Sequence, residues 1–395
     1  MRLVTVTGEA SGDLIVGSVI SAMLRSHPQL EVAGIGGAAL AHCGMDCWHD
    51  SQELAVRGYV EALSRLPKIL GIRRDLLRRI REWRPNVYLG VDAPDFNLGV
   101  EALLKGRGIR TVHLISPSIW AWRAERIHKI RQAVDHMLCI FPFEPKIYEG
   151  SGVRATYVGH PIADLIPVQP NRLLARRALG LPEDSRPVIA VLPGSRASEI
   201  LHNGQSFLDA AVLLSRRAHV VIPASSPAVA ALIRQHPGYA AFSEAGARLI
   251  EASENASNAA ITPALKAQSP ISHTVLAASD AALIASGTAT LEAALFKIPM
   301  VIGYRVPALT YALMRRRALI SDIGLPNILL GSRVVPELIQ KDANPGRMAE
   351  EVIRLLEDPI RSARIVDLFT GLHAVLKKNA SQTIAEILAF ELQQC

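Results

Sequence analysis

Residues 2–13, RLVTVTGEASGD, set the pattern of the chain: a short β-branched run over 2–7 halts at Gly8 and Glu9 and gives way to a helical pattern near 13–25. Working outward, the same alternation predicts strands at 31–35, 86–91, 110–115, 136–141 and 153–158, with helices near 66–83, 96–106 and 122–133. Strands separated by helix-length crossovers pair in parallel. Five prolines between Pro161 and Pro187 punctuate the chain as a linker does. Strands near 187–192, 218–223, 248–251, 280–285 and 299–303 then restart the pattern. The stretch 252–275, rich in Ala, Ser and Asn, reads as a long surface excursion, and from 346 onward the pattern is helical. The expected fold class is α/β: two Rossmann-like doubly wound domains, 1–165 and 180–345, facing a cleft at the carboxyl ends of their strands. Helices of 346–395 are expected to pack back toward the first domain.

Composition narrows the class. Of the 395 residues 49% are hydrophobic and 20% charged, and the mean hydropathy is +0.22, so the chain can bury sizeable cores and is not disordered. No window holds 18 unbroken apolar residues, so neither a spanning helix nor a signal peptide is expected, and the cytoplasm is the expected compartment. Cys43, Cys47, Cys139 and Cys395 lack the spacing of a disulfide framework or a zinc site. The formal net charge is +7, and the positive charge of the first half gathers in two places. Residues 57–84 carry nine Arg/Lys against three acids, and 105–131 seven against one. Such patches attract the phosphates of a nucleic acid, an anionic lipid or an anionic substrate.

Chemistry-bearing residues collect where strands end. Gly8-Glu9-Ala10-Ser11-Gly12-Asp13 can bind an anion at a helix start, or form a tight turn capped by Asp13. In Asp92-Ala93-Pro94-Asp95-Phe96-Asn97, Pro94 keeps Ala93 out of the helical region, so an extended exit from the sheet is expected, with Asp95 or Asn97 capping the next helix. Asp92 lies too early to cap and is the candidate general base. Ser116-Pro117-Ser118-Ile119-Trp120-Ala121-Trp122-Arg123 can hold a sugar ring, an acyl chain or a base, or can anchor its loop to the core. In the second half, Pro193-Gly194-Ser195-Arg196 suits a pyrophosphate, with an exposed capping turn as its rival. Ser286-Gly287-Thr288, with Glu292 four residues on, suits a second anion and the hydroxyls of a ribose; no lysine follows the glycine as a P-loop requires. The helix of 66–83 places Leu66, Ile69, Leu70, Leu76, Leu77, Ile80 and Trp83 at helical spacing among arginines. It suits either an anionic membrane surface or a sheet-packed helix with a solvated face.

Taken in order, GEASGD, GVDAPDFN, SPSIWAWR, VGHP, LPGSR, SGTATLEAAL and LPNILLG resemble the lipid-A-disaccharide synthase family over almost the whole chain. That resemblance implies an inverting, metal- and cofactor-independent glycosyltransferase of GT-B type. It implies transfer of diacylglucosamine from UDP-2,3-diacylglucosamine to the 6-hydroxyl of 2,3-diacylglucosamine 1-phosphate (lipid X), with a β-1,6 disaccharide and UDP as products. It also implies peripheral work at the cytoplasmic face of a Gram-negative inner membrane, with a homodimer left open. Carried over by position, Asp92 matches the base, and Glu9, Ser11 and Asp13 the acceptor side, to which Ser116 and Trp120 are added. Ser195 and Arg196 match the diphosphate turn, Ser286, Gly287, Thr288 and Glu292 the nucleotide loop, and Asn327 the LPN loop. The stretch 252–275 departs from the family pattern. The alternatives are another GT-B enzyme acting on a UDP-sugar, such as a peptidoglycan-type transferase or an epimerase, and a non-catalytic nucleotide- or nucleic-acid-binding protein. The second alternative leaves the strand-end turns of both halves unexplained, and no aromatic-basic RNA motif is present, so no nucleic-acid partner is expected.

Overall fold

The computed structural model describes residues 1–54, 59–251 and 270–394, with side chains for all of these except 10, 11 and 59–64. The chain divides into two compact units: Met1–Asp164 with Leu376–Cys395, and Leu165–Val375.

In the first unit the strands are β1 (Arg2–Thr7), β2 (Glu31–Gly36), β3 (Asp46–Asp50), β4 (Val87–Val91), β5 (Arg110–Leu114), β6 (His136–Cys139) and β7 (Arg154–Tyr157). They form one parallel sheet in the order β3-β2-β1-β4-β5-β6-β7. The second unit holds β8 (Val188–Leu192), β9 (His219–Ala224), β10 (Arg248–Glu251), β11 (Ala281–Ala285), β12 (Met300–Tyr304) and β13 (Glu337–Ile339). Their order, again parallel, is β10-β9-β8-β11-β12-β13. Strand order therefore reverses between β1 and β4 in one sheet and between β8 and β11 in the other. Ligands of open α/β sheets sit beyond the carboxyl ends of strands at such reversals. The turns after β1 and β4, and after β8 and β11, are those singled out by composition.

Four helices of the first unit matter for the site: α1 (Ala10–Ser26), α2 (Ala38–His42), α3 (Tyr59–Trp83) and α4 (Pro94–Lys105). On α3, Ile72, Leu76 and Ile80 bury against Val4, Val6, Tyr88 and Val100. Arg73 donates to the Gly99 carbonyl at 2.8 Å, and Arg78 and Arg79 both grip Asp75. This part of α3 is a sheet-packed helix, while Leu66 and Leu70, nearer its start, are exposed.

Several expectations are corrected. The helix after β1 begins at Ala10 rather than near 13, and Asp13 does not cap it. Strands β3 and β13 escaped the pattern because one is a polar five-residue edge, DCWHD, and the other has three residues. Of the presumed excursion 252–275, residues 252–269 lie outside the described residues, but Ile271–Ala278 is a helix whose Ile271, Val275 and Leu276 are buried. Its small residues fit a close approach and mimic a loop composition. The proline-rich linker includes an ordered helix, Arg172–Ala178, capped by Asn171 and tied to the second sheet by Arg172 and Arg176 on Asp280. Of the C-terminal helices, Pro345–Glu357 and nearly all of Pro359–Leu376 belong to the second unit, and Ala380–Gln393 to the first.

Candidate functional site

At the carboxyl end of β4 the backbone turns through two left-handed residues, Asp92 (φ 49°) and Ala93 (φ 43°). Pro94 does exclude the right-handed helical region for Ala93, but the chain answers with a left-handed turn, not the expected extended one. Non-glycine residues at positive φ cost about 1–3 kcal/mol each and persist where the surroundings over-determine them. Here the determinant is Asn97. It caps nothing: it is fully buried, its Nδ2 donates to the Asp92 carbonyl at 2.8 Å and to Val91 at 3.3 Å, and its Oδ1 accepts from Tyr88 Oη. Asp95, the other expected cap, instead accepts from Arg126 at 2.7 Å. Asp92 is left half-buried, its own N–H spent on the Leu114 carbonyl.

The turn after β1 abuts this strained pair. A Cβ on Gly8 would stand 2.6 Å from Ala93 Cβ, so only glycine permits the approach that brings Glu9, exposed at the start of α1, beside the Asp92 turn. Asp13 faces the other way. It is buried and accepts from the amides of Gly37 at 2.6 Å and Ala39 at 2.9 Å, capping α2. The side chain of Ser11 lies outside the described residues.

The expected acceptor residues of the next loop are tied into the protein. Ser116 Oγ lies 2.7 Å from Tyr148 Oη and is buried, and Trp120 Nε1 donates to Glu144 at 3.3 Å while packing edge-on against Phe143. Burial raises the Glu144 carboxyl to about 7, against the pull of the Phe141 amide and Trp120. Trp122 is the exposed tryptophan of the loop, with Arg123 over its ring at 4.1 Å.

In the second unit the turn after β8 is already engaged. Glu199 accepts from the backbone amides of Ser195 at 2.8 Å and Arg196 at 3.2 Å, so these N–H groups hold a carboxylate of their own helix, Ala197–Ser215. The Ser195 hydroxyl and the Arg196 guanidinium, the latter 3.9 Å from the same Glu199 carboxylate, both belong to exposed residues. After β11, Gly287 and Thr288 are exposed, and Ser286 Oγ donates to the Ile323 carbonyl at 2.9 Å. Glu292 sits 3.4 Å from His273, which the sequence reading missed because it lies on the disguised helix Ile271–Ala278. Asn327 is not a free contact: fully buried, its amide donates to Val335 and Glu337 and accepts from the amides of Val334 and Val335. Glu337 also holds the amides of Ile323 and Gly324, so the LPN segment and the Ser286 loop are fastened together. Arg305, following β12, donates to Ser206 at 2.7 Å; nothing in its sequence context marked it. Glu199 was readable as the glutamate three residues after a helix start. Among the described residues no group of three or more His, Cys, Asp or Glu is placed to hold a metal ion.

Two parallel sheets with strand-order reversals, each bearing exposed polar groups at its carboxyl edge, define a fold of GT-B type. Solved structures share the fold. The UDP-GlcNAc 2-epimerase of Neisseria meningitidis, determined with UDP-GlcNAc, matches with a TM-score of 0.61 at 14% identity over 100% of both chains. A sucrose-phosphate synthase of Thermosynechococcus elongatus matches with 0.60 at 11% over 100% of both chains. Sequence goes further. The lipid-A-disaccharide synthetase family model matches residues 3–388. Lipid-A-disaccharide synthases of Paraburkholderia xenovorans and Paraburkholderia phymatum are 44% and 46% identical, covering 100% and 98% of this chain and 97% and 95% of theirs. The chain belongs to the lipid-A-disaccharide synthase family and is a glycosyltransferase of lipid A synthesis.

Proposed function

We propose that the chain joins UDP-2,3-diacylglucosamine to lipid X, with Asp92 as the general base. The observation that carries this reading is the left-handed Asp92–Ala93 turn, fixed by Asn97 at the strand-order reversal of the first sheet. As the 6-hydroxyl oxygen of lipid X attacks the anomeric carbon, its proton passes to the Asp92 carboxylate. The bond from that carbon to the UDP oxygen breaks, and inversion yields the β-1,6 disaccharide 1-phosphate. Charge developing on the departing diphosphate is met by the Arg196 guanidinium, with Ser195, Thr288 and Glu292 on the donor side. Glu9, beside the Asp92 turn, belongs to the acceptor side.

Association with an anionic membrane at the inner face of the inner membrane completes the proposal, since both substrates carry acyl chains and phosphate. Its support is the helix Ala308–Arg317, which has no buried residue and joins Leu309 (84% exposed), Leu313 (51%) and Met314 (57%) to Arg315, Arg316 and Arg317. Among the described residues no helix is long and apolar enough to cross a membrane.

Mass spectrometry of the products formed from the two diacylglucosamine substrates tests the reaction: a phosphorylated tetraacyl disaccharide and UDP are expected, and recovery of unchanged substrates would reject it. Asp92→Asn should lower kcat about 10²- to 10⁴-fold while the protein still binds UDP. Near-normal turnover would remove Asp92 as the base.

A further inference from the structure

The tryptophan loop after β5 carries a cation with no part in the proposed reaction. Arg123, a half-buried residue, lays its guanidinium over the Trp122 ring, 4.1 Å from the centroid, and Trp122 itself is 41% exposed. Among the described residues no carboxylate pairs with Arg123 and no hydrogen bond holds its guanidinium. Its backbone is left-handed (φ 61°), a conformation that costs a residue with a side chain free energy and persists where the surroundings impose it. Arg126, in the same segment, is already spent on Asp95 at 2.7 Å.

Two contacts place this cation. The Asp92 N–H donates to the carbonyl of Leu114, the last residue of β5, so the turn after β4 and the loop after β5 leave one edge of the sheet side by side. The Arg126–Asp95 ion pair fastens the same two segments again: Arg123 stands three residues before Arg126, and Asp92 three before Asp95. Arg123 therefore belongs to the margin of the Asp92 turn. A guanidinium resting on an aromatic face has less rotamer freedom to lose on binding, and its N–H groups still suit the oxygens of a phosphate. On the acceptor side the matching group is the 1-phosphate of lipid X. As a monoester it carries about two negative charges at neutral pH, and it stands across one sugar ring from the 6-hydroxyl.

We propose that Arg123 selects the phosphorylated acceptor: backed by Trp122, its guanidinium binds the 1-phosphate of lipid X and so sets the 6-hydroxyl at Asp92. The inference rests on lipid X being the acceptor, and its test separates the two.

Equilibrium binding of lipid X and of 2,3-diacylglucosamine lacking the phosphate is measured in detergent, beside turnover of lipid X. The native chain should bind lipid X about tenfold or more tightly than the phosphate-free sugar, the worth of hydrogen bonds to a charged group. Arg123→Gln should lose that preference by weakening lipid X alone, raise KM for lipid X to match, and keep native affinity for UDP and for anionic vesicles. Arg123→Lys should keep only part of the preference, for it has the charge without the planar fork. A native chain indifferent to the phosphate overturns the inference, as does an undiminished preference in Arg123→Gln. Equal weakening of both acceptors is the mark of a packing defect, and a loss confined to vesicles gives Arg123 to the membrane; either result also overturns it. Should Arg123→Gln not fold, Arg123→Lys decides, full preference in that variant counting against the inference. If the native chain forms no product from lipid X, the acceptor assignment itself fails, whatever Arg123 does.

Discussion

Glu199 determines what Arg196 offers a ligand. Because the carboxylate occupies the amides of Ser195 and Arg196, an incoming diphosphate meets side chains and not a nest of backbone donors. Arg196→Ala should therefore weaken UDP binding about tenfold or more, the value of a hydrogen bond to a charged group, and Lys should rescue only part because it lacks the planar fork. Glu199→Gln, which keeps an acceptor for the turn but removes a negative charge beside the phosphates, should bind UDP more tightly than the native chain. Calorimetric titration with UDP measures both; unchanged affinity in Arg196→Ala would make the LPGSR turn purely structural. At this scale the sequence reveals residue type and strand end but not what each side chain is already bonded to. Pro94 flagged the turn at Asp92 through a local steric rule, whereas the left-handed conformation depends on Asn97, whose partners are set by folding. Asn327, Ser116 and Asp13 stand in the expected motifs, yet hydrogen bonds to residues from 7 to 32 positions away in sequence tie each of them down.

Elements with strong apolar runs were legible, and those that depend on neighbours were not. Strands β1, β4, β8 and β11 are buried on both faces and read as continuous apolar or β-branched runs, so the strand ends at the reversal of each sheet came within reach of the sequence. For the amphipathic helix, periodicity found the core face of α3 but cannot tell an arginine that pairs with a carboxylate from one that awaits a membrane. Arg73, Arg78 and Arg79 have partners within the protein, so neutralising them would damage the fold as well as any docking. Helix Ala308–Arg317 makes the cleaner test, for an isolated ten-residue helix is marginal in water and, Tyr311 apart, this one is exposed along its length. Replacing Leu309, Leu313 and Met314 with Ser, and Arg315, Arg316 and Arg317 with Gln, should sharply reduce binding to anionic vesicles, each cation contributing about 1 kcal/mol. Activity on detergent-dispersed substrate should persist. Vesicle binding equal to the native protein's would move the docking surface elsewhere, first to Leu66 and Leu70 of α3.

On the scale of the whole molecule, the chain closes its first unit with its last helix. Ala380–Gln393 lies more than two hundred residues from the rest of that unit, and no local pattern says which of the two sheets it joins. Its Glu391 is fully buried, accepts from Arg110 Nε at 2.7 Å and lies 2.8 Å from His136 Nδ1. Burial alone would raise this carboxyl, but the hydrogen bonds from Arg110 and His136 outweigh it and hold it below its ordinary value of 4.5. A carboxylate depressed in the folded state contributes stability that is fully present above its unfolded value and is lost as pH falls through the folded one. The first unit should accordingly weaken below about pH 4.5, whereas Leu165–Val375 does not share this contribution. Glu391→Gln should cost the first unit about 1–3 kcal/mol at neutral pH, less than a wholly buried pair because Arg110 is partly solvated, and should flatten its acid dependence. Hydrogen exchange followed in urea at pH 7 and pH 4 resolves the units separately. Equal losses in both units, or an unchanged acid profile in Glu391→Gln, would show that the last helix is held by its apolar face, Ile384, Leu388 and Leu392, and not by the buried carboxylate.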